Sequence, residues 1–408
     1  MTEVDATSFL VIVLFAAAAG LIVTLLEPRL VLPVVVVELL LGIAIGPQGL
    51  DFARVDAFTD FFGNLGLGML FFFAGYEIDF ERVRGHPLKL AVAAWVLSLA
   101  LAYGLGGALE AAGIVVSFLY SGSAMATTAI GTLIPVLRDA GELRTRFGTY
   151  LLASGAVGEF GPILLVTLVL STSHPIEEAL LLIAFVVVAV LLALVAVRSV
   201  WRGWALLERT FESSSQLAVR LAVVLVFGLV ALASELGLDL LLGGFVAGLI
   251  TRMALRGHEL PVFESKLTAV GYGFLIPFFF ITSGMKFDLG ALTSSGSALL
   301  KLPLFLGLFL LVRGLPALLV YRRVFAARER SALAWFSATE LPLVVAITTL
   351  AVETGKMRSS TAAALVGAAM LSTLVFPLLA LRLRRGRTDE PSPDQLDVSP
   401  SEQAAASA

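Results

Sequence analysis

GTYLLASGAVGEFGPILLVTLVLS, from Gly148 to Ser171, is an apolar stretch with a single carboxylate, Glu159, near its middle. A bilayer crossing takes about 20 residues, so the stretch can span a membrane as one helix. At ~1.5 Å rise per residue, Glu159 lies about 17 Å from either end, close to the bilayer midplane. A charge there costs at least ~2.5 kcal/mol, and a Glu side chain is too short to snorkel out. A residue held at that cost is a candidate functional site. The competing reading is a protonated Glu that only hydrogen-bonds a neighbouring helix.

The rest of the chain is of the same kind. Of 408 residues, 58% are hydrophobic and 14% charged, more apolar content than a soluble core hides, which predicts an all-α polytopic membrane protein. A net charge of −3 without a basic run among aromatics gives no footing for a nucleic-acid partner; membrane lipid is the expected one. The chain has no cysteine, so disulfide, thiolate and Cys-metal chemistry are excluded. The opening MTEVDATSFL lacks a basic n-region, and the apolar run after it reads as a first membrane helix.

Apolar runs predict thirteen spans, near 8–26, 30–46, 62–76, 88–110, 115–137, 148–171, 177–198, 217–235, 239–252, 268–284, 301–320, 331–352 and 360–381. With the N-terminus outside, 22 of the 28 basic residues fall in inside connections, five fall outside, and one, Arg313, lies within a span. A miscounted span would invert that alternation, so the pattern predicts a multi-pass cell-membrane protein with its C-terminus in the cytoplasm. Residues 1–385 form the membrane domain, and the Pro/Ser-rich polar segment 386–408 is expected to be a disordered cytoplasmic tail. No Gly-rich fingerprint follows the last span, so no nucleotide-binding regulatory domain is expected.

The second and third spans (LLLGIAIGPQGL, LGMLFFFAGYEIDF) have counterparts in the ninth and tenth (LLGGFVAGLITR, LIPFFFITSGMKFDL). Gly42 and Gly46 answer to Gly244 and Gly248, and Phe71–Phe73 to Phe278–Phe280, at an offset a little over 200 residues. The spacing of seven spans is odd, which predicts two inverted five-helix repeats. Close packing through small residues is the plainer explanation of the glycines. The same offset pairs the fifth span (SGSAMATTAIGTLIPVL) with the twelfth (WFSATELPLVVAITTL), which Pro342 interrupts. Both read as broken helices whose freed backbone groups line a site near midplane. Ser123, Thr127, Thr128, Thr339 and Glu340 are the polar groups available there. Bonding to their own helix backbone accounts for the hydroxyls equally well.

LPVVVVELLLGIAIGP (Leu32 to Pro47), GMLFFFAGYEID, SGSAMATTAI, the Glu159 stretch, FFFITSGMKFD and SATELPLVV together resemble the monovalent cation:proton antiporters, in the branch of bacterial sodium/proton and glutathione-gated potassium/proton exchangers. The resemblance covers about residues 8–381. It implies a thirteen-helix homodimeric fold with a dimerisation panel, a six-helix core domain crossed by two broken helices, and elevator-like alternating access. It implies no cofactor and no enzymatic activity. The family's sixth span carries an essential carboxylate, usually Asp after Asn, Asp or Gln; here the pair is Gly158–Glu159. A Lys found on the tenth span of electrogenic members is missing from Ile281-Thr282-Ser283. Glu38 and Glu340 match acidic positions common in the family, where packing explains them as well as ion binding does.

The resulting expectation is an antiporter in which a proton and sodium or potassium compete for Glu159, the one monovalent-cation site, giving electroneutral exchange. Another ion-coupled transporter and a non-transporting sensor of the same fold are the alternatives. An intramembrane hydrolase is excluded because His86, His174 and His258 all fall in connections.

Overall fold

The structure, a computed structural model, describes residues 5–26, 33–78, 83–143, 145–165, 175–210, 213–236, 240–255, 261–293 and 296–385. The tail expected at 386–408 lies outside them. Among the described residues the fold is all-helical. The helices are α1 (Ala6–Leu26), α2 (Val34–Ile45), α3 (Ala57–Tyr76), α4 (His86–Ala111), α5 (Phe118–Met125), α6 (Ile130–Asp139), α7 (Arg146–Leu165) and α8 (Pro175–Thr210). After them come α9 (Leu217–Glu235), α10 (Leu240–Ala254), α11 (Pro261–Met285), α12 (Leu289–Thr293), α13 (Leu299–Arg323), α14 (Ala327–Ser337), α15 (Pro342–Glu353) and α16 (Ser359–Arg384). π-Helical turns interrupt α11 at Gly271–Leu275 and α13 at Leu310–Gly314.

Eight of these helices are long and apolar enough to cross a bilayer, nine if the bent pair α14–α15 counts as one span. The apolar helices α2, α10 and the pair α5–α6 are shorter. α1 and α8 turn Leu10, Leu14, Leu21, Leu25, Leu180 and Ile183 outward, as lipid-facing helices do. α3 starts at Ala57, five residues before the apolar run, because Asp56 and Thr59 cap it reciprocally: the Asp56 carboxylate accepts from the Thr59 amide (2.7 Å) and Thr59 Oγ1 from the Asp56 amide (2.9 Å).

Packing divides the helices into two bundles, α1–α3 with α8–α11 and α4–α7 with α13–α16. In the first bundle α2 crosses α11, and α3 crosses α10, at backbone contact. A Cβ on Gly42 would overlap the Ile281 carbonyl and one on Gly284 the Leu39 carbonyl; Gly75 and Gly248 stand in the same relation to Phe245 and Phe72. Only glycine permits approaches this close, which is how helices associate without a hydrophobic drive in lipid. Phe71–Phe73 and Phe278–Phe280 are buried beside these crossings. The second bundle holds the broken helices, and α3 and α6 meet at the seam between the bundles.

Candidate functional site

α5 stops at Met125 and α6 begins at Ile130; between them Thr127, Thr128 and Ala129 run unwound through the bundle. α14 stops at Ser337 and α15 begins at Pro342, the pair bending by 40°. Proline suits the first turn of α15, where a missing N–H leaves no bond unmade. The two unwound segments satisfy each other's backbones. The Ala129 amide donates to the Thr339 carbonyl (2.8 Å), and the Thr128 hydroxyl donates to the Ser337 carbonyl (2.6 Å).

Each break is also tied to one continuous helix. On α7, the Gly158 carbonyl accepts the Thr128 amide (3.0 Å). On α16, Ser372 Oγ takes the Glu340 amide (3.0 Å), and Ser372 and Thr373 both donate to the Glu340 carbonyl (3.1 and 3.2 Å). Backbone groups freed by the breaks are thus bonded inside the protein, the condition for unwound chain at membrane depth.

Glu159 follows Gly158 on α7 and is 1% exposed. Its side chain faces Gly131 in the first turn of α6, so the positive end of a half-helix points toward the carboxylate. Oε2 of Glu159 is buried with no hydrogen-bond partner among the described residues. An orphaned carboxylate oxygen in an apolar interior is expensive, and a proton or a dehydrated cation would satisfy it.

The remaining sequence candidates fall into three groups. Thr128 is fully engaged, its hydroxyl donating to Ser337 and accepting from the guanidinium of Arg313. Ser123 bonds Tyr103 (3.1 Å), Thr127 the Ala124 carbonyl (3.1 Å) and Thr339 the Trp335 carbonyl (3.3 Å), so these hydroxyls use the local bonds open to them while their oxygens keep lone pairs. Glu340 is fully buried at the second break, both carboxylate oxygens lack a hydrogen-bonding partner among the described residues, and Thr127 faces it without closing a normal bond. Glu38 is buried too, with Oε2 unpartnered, but it belongs to α2 in the other bundle, and no hydrogen bond or ion pair links it to the crossing.

Arg313 is the functional neighbour that sequence reasoning left without a role. Rising from the π-turn of α13 and 3% exposed, it donates to Thr128 Oγ1 (3.0 and 2.7 Å), Ser98 Oγ (3.2 Å) and the Ser154 carbonyl (3.5 Å). Its guanidinium fills the space over Gly158: a Cβ there would overlap Arg313 Nη2 and Thr128 Oγ1. The glycine beside Glu159 is therefore matched to an arginine from another helix. The available signal was the cost of an arginine inside an apolar span.

Comparison with known proteins places this architecture. The chain is 25% identical over 396 residues to the putative Na(+)/H(+) antiporter YjbQ of Bacillus subtilis, covering 91% of this chain and 63% of that protein. It is 28% identical to the Na(+)/H(+) antiporter NhaS5 of Synechocystis, over 88% of this chain and 52% of the relative, and 25% identical to the Na(+)/H(+)-K(+) antiporter GerN of Bacillus cereus, over 64% and 67%. The chain thus spans about two-thirds or less of the length of these relatives. Its fold is similar to that of the sodium proton antiporter MjNhaP1 of Methanocaldococcus jannaschii at pH 8, with a TM-score of 0.63 and 19% identity over 92% of this chain and 98% of that one. Residues 9–381 match the family described as sodium/hydrogen exchanger, transmembrane. The chain belongs to that family.

Proposed function

We propose that this chain is a secondary antiporter that exchanges a monovalent cation, sodium or potassium, for protons by alternating access, with Glu159 binding either passenger. The observation that carries the reading is the buried carboxylate with an unpartnered oxygen, aimed at a half-helix N-terminus where two broken helices cross. A proton neutralises Glu159; a dehydrated cation does the same by drawing oxygens from the unwound backbone and from Thr127, Thr339 and Ser123. An ionised, empty site in these surroundings is costly. The bundle therefore crosses with one passenger or the other, and that exclusion couples the fluxes. With Glu159 as the one carboxylate that exchanges its proton, Glu340 lying within electrostatic reach of the Arg313 guanidinium, and no Lys at 281–283, each cycle moves one cation against one proton and is electroneutral. Thr128 and Arg313 hold the crossing together.

The inverted repeat is part of the same reading. Two-fold symmetry that exchanges α2 with α10 and α3 with α11 converts the α2–α11 crossing into the α10–α3 crossing, and both are glycine-lined backbone contacts. It also exchanges the α5–α6 break with the α14–α15 break and α7 with α16, and each break is tied to its own continuous helix. On this reading α7 and the three shorter apolar spans cross as well as the nine counted above, giving thirteen spans in a homodimer, and the basic connections set the N-terminus outside and the C-terminus in the cytoplasm.

The relatives named as Na(+)/H(+) antiporters, and GerN with its added K(+), support this class of passenger. The test is reconstitution into liposomes that trap a pH dye, with sodium, potassium or lithium added outside. Cation-dependent release of internal protons, saturating with cation, is expected. Absence of a response to any of the three would leave the sensor reading standing instead.

A further inference from the structure

The two ends of the seam between the bundles differ. At the end where α3 begins, the seam holds a cavity of about 570 Å³ lined by Asp60, Asn64 and Lys286 on one side and Thr349, Glu353 and Ser359 on the other. At the opposite end, about 25 Å along α3, it is shut. Glu77, the residue closing α3, accepts from Arg138 in the last turn of α6 (2.6 Å), so an ion pair bridges the two bundles. Deeper in the same seam, Tyr272 on the π-turn of α11 packs its ring, tilted by 34°, against Phe73 and reaches across toward the Gly131 carbonyl (3.5 Å). Gly131 is the residue that Glu159 faces, and Tyr272 lies within electrostatic reach of Glu159, Glu77 and Arg138 together.

We propose that Arg138 and Glu77 form a latch, with Tyr272 as its inner bolt, that closes this end of the seam while the cavity end is open. The inference rests on the alternating-access reading above. The bundle carrying Glu159 also carries Arg138, whereas Glu77 and Tyr272 belong to the other. Any movement that opens this end must part Arg138 from Glu77 and withdraw Gly131 from Tyr272. The surroundings of Glu77 fit this role. Glu264, which accepts from Tyr76 (2.9 Å), and Arg252, whose guanidinium lies over the Tyr76 ring (5.7 Å), stay with Glu77 in its own bundle, leaving Arg138 as the charge supplied from across the seam. The pair is partly open to solvent, with side-chain exposures of 58% for Arg138 and 27% for Glu77, so it biases the equilibrium without freezing it. A latch of that strength shifts a two-state population about two- to five-fold.

The native chain has no cysteine, so single reporters can be placed without background. Ala346→Cys lines the cavity, and Ala74→Cys sits beneath the latch, 1% exposed and beside Gly131. With the latch intact, an impermeant thiol reagent should modify Ala346→Cys quickly from the cavity end and Ala74→Cys slowly from either end. Arg138→Gln or Glu77→Gln should raise the rate at Ala74→Cys from the latch end about two- to five-fold, and lower the rate at Ala346→Cys only by the small fraction of molecules that leave the major, cavity-open state. Separately, Glu77→Cys with Arg138→Cys, bridged by a short reducible bifunctional reagent, should stop exchange until the bridge is reduced. An unchanged rate at Ala74→Cys, a rise at both reporters, or undiminished exchange by the bridged protein would each overturn the latch. The labelling arm does not depend on Glu159 being the ion site. A wild-type rate of exchange by Glu159→Gln would sink the transport reading and leave the labelling result standing.

Discussion

Replacing Gly158 with alanine adds one methyl group where Arg313 and Thr128 already meet. The new Cβ would stand 2.9 Å from Thr128 Cβ and closer still to Thr128 Oγ1 and Arg313 Nη2, well inside contact distance. Two responses are open. If the side chains hold, overpacking costs ~1–3 kcal/mol. If Arg313 swings away, it gives up its two bonds to Thr128, and hydrogen bonds to a charged group are worth ~1.5–3 kcal/mol each. The smaller cost is the one the protein takes, so Gly158→Ala should lose about 1–3 kcal/mol in reversible unfolding in mixed detergent micelles. Its exchange rate should fall as well, because Thr128 ties the first break to the second. The origin of the loss is checked in an Arg313→Met background, where the longest clashing side chain has lost its planar head. The alanine should cost at least ~1 kcal/mol less there, since residues in contact couple. Equal costs in the two backgrounds would refute the idea that Gly158 is glycine because of Arg313.

Four further outcomes follow from the same contacts. Gly248→Ala pushes a Cβ onto the Phe72 carbonyl, a backbone obstacle that no rotamer relieves, and should destabilise the protein more than Gly107→Ala, which meets open space; thermal stability of the two purified variants decides it. Arg384→Met removes the guanidinium that pairs with Glu142 (2.9 Å twice) and Glu329 (3.3 Å) and lies over Phe147, leaving Glu142 buried without its counter-ion; a loss of ~3–5 kcal/mol in the same unfolding assay is expected. Exchange with sodium should proceed at the same rate whether or not a potassium/valinomycin potential is imposed on the vesicles, and a steep voltage dependence would show that a second charge moves, with Glu340 or Glu38 the groups to mutate next. Single cysteines in the 138–146 and 322–330 connections should be shielded from an impermeant thiol reagent in intact cells, and labelling there with protection of the 47–61 connection would reverse the orientation.

The apolar helices were legible because hydrocarbon demands length and hydropathy, and both are written locally. Glu159 was legible for the opposite reason: one carboxylate in such a helix stands out by its cost. The small and hydroxyl residues of the fifth span and Pro342 in the twelfth marked both breaks: the chain is unwound at 127–129 and at 338–341, just ahead of Pro342. Local signals stop at the helix surface. Arg313 was visible as an anomaly, yet its place over Gly158 depends on α4, α7 and the α5–α6 break converging on α13, which no run of residues encodes. Ser372 and Thr373 look like ordinary small residues of an apolar span, but they cap the second break because α16 passes beside it. Glu38 is a candidate only through its match to an acidic position common in the family, and its helix packs in the other bundle. The apolar run alone places the start of α3 five residues late, because the Asp56–Thr59 cap lies in the polar stretch ahead of it.

The most direct test of the central claim is sodium- or potassium-driven proton flux in liposomes carrying Glu159→Gln beside the wild type. Gln keeps the volume and much of the hydrogen bonding of a protonated Glu but neither ionises nor releases a proton, so the variant should fold, elute as the wild type does and show no cation-driven flux. Glu159→Asp, the family's usual carboxylate set back by one methylene, should keep part of the flux with a shifted pH profile. Wild-type flux from Glu159→Gln would contradict the account and make Glu159 a structural residue.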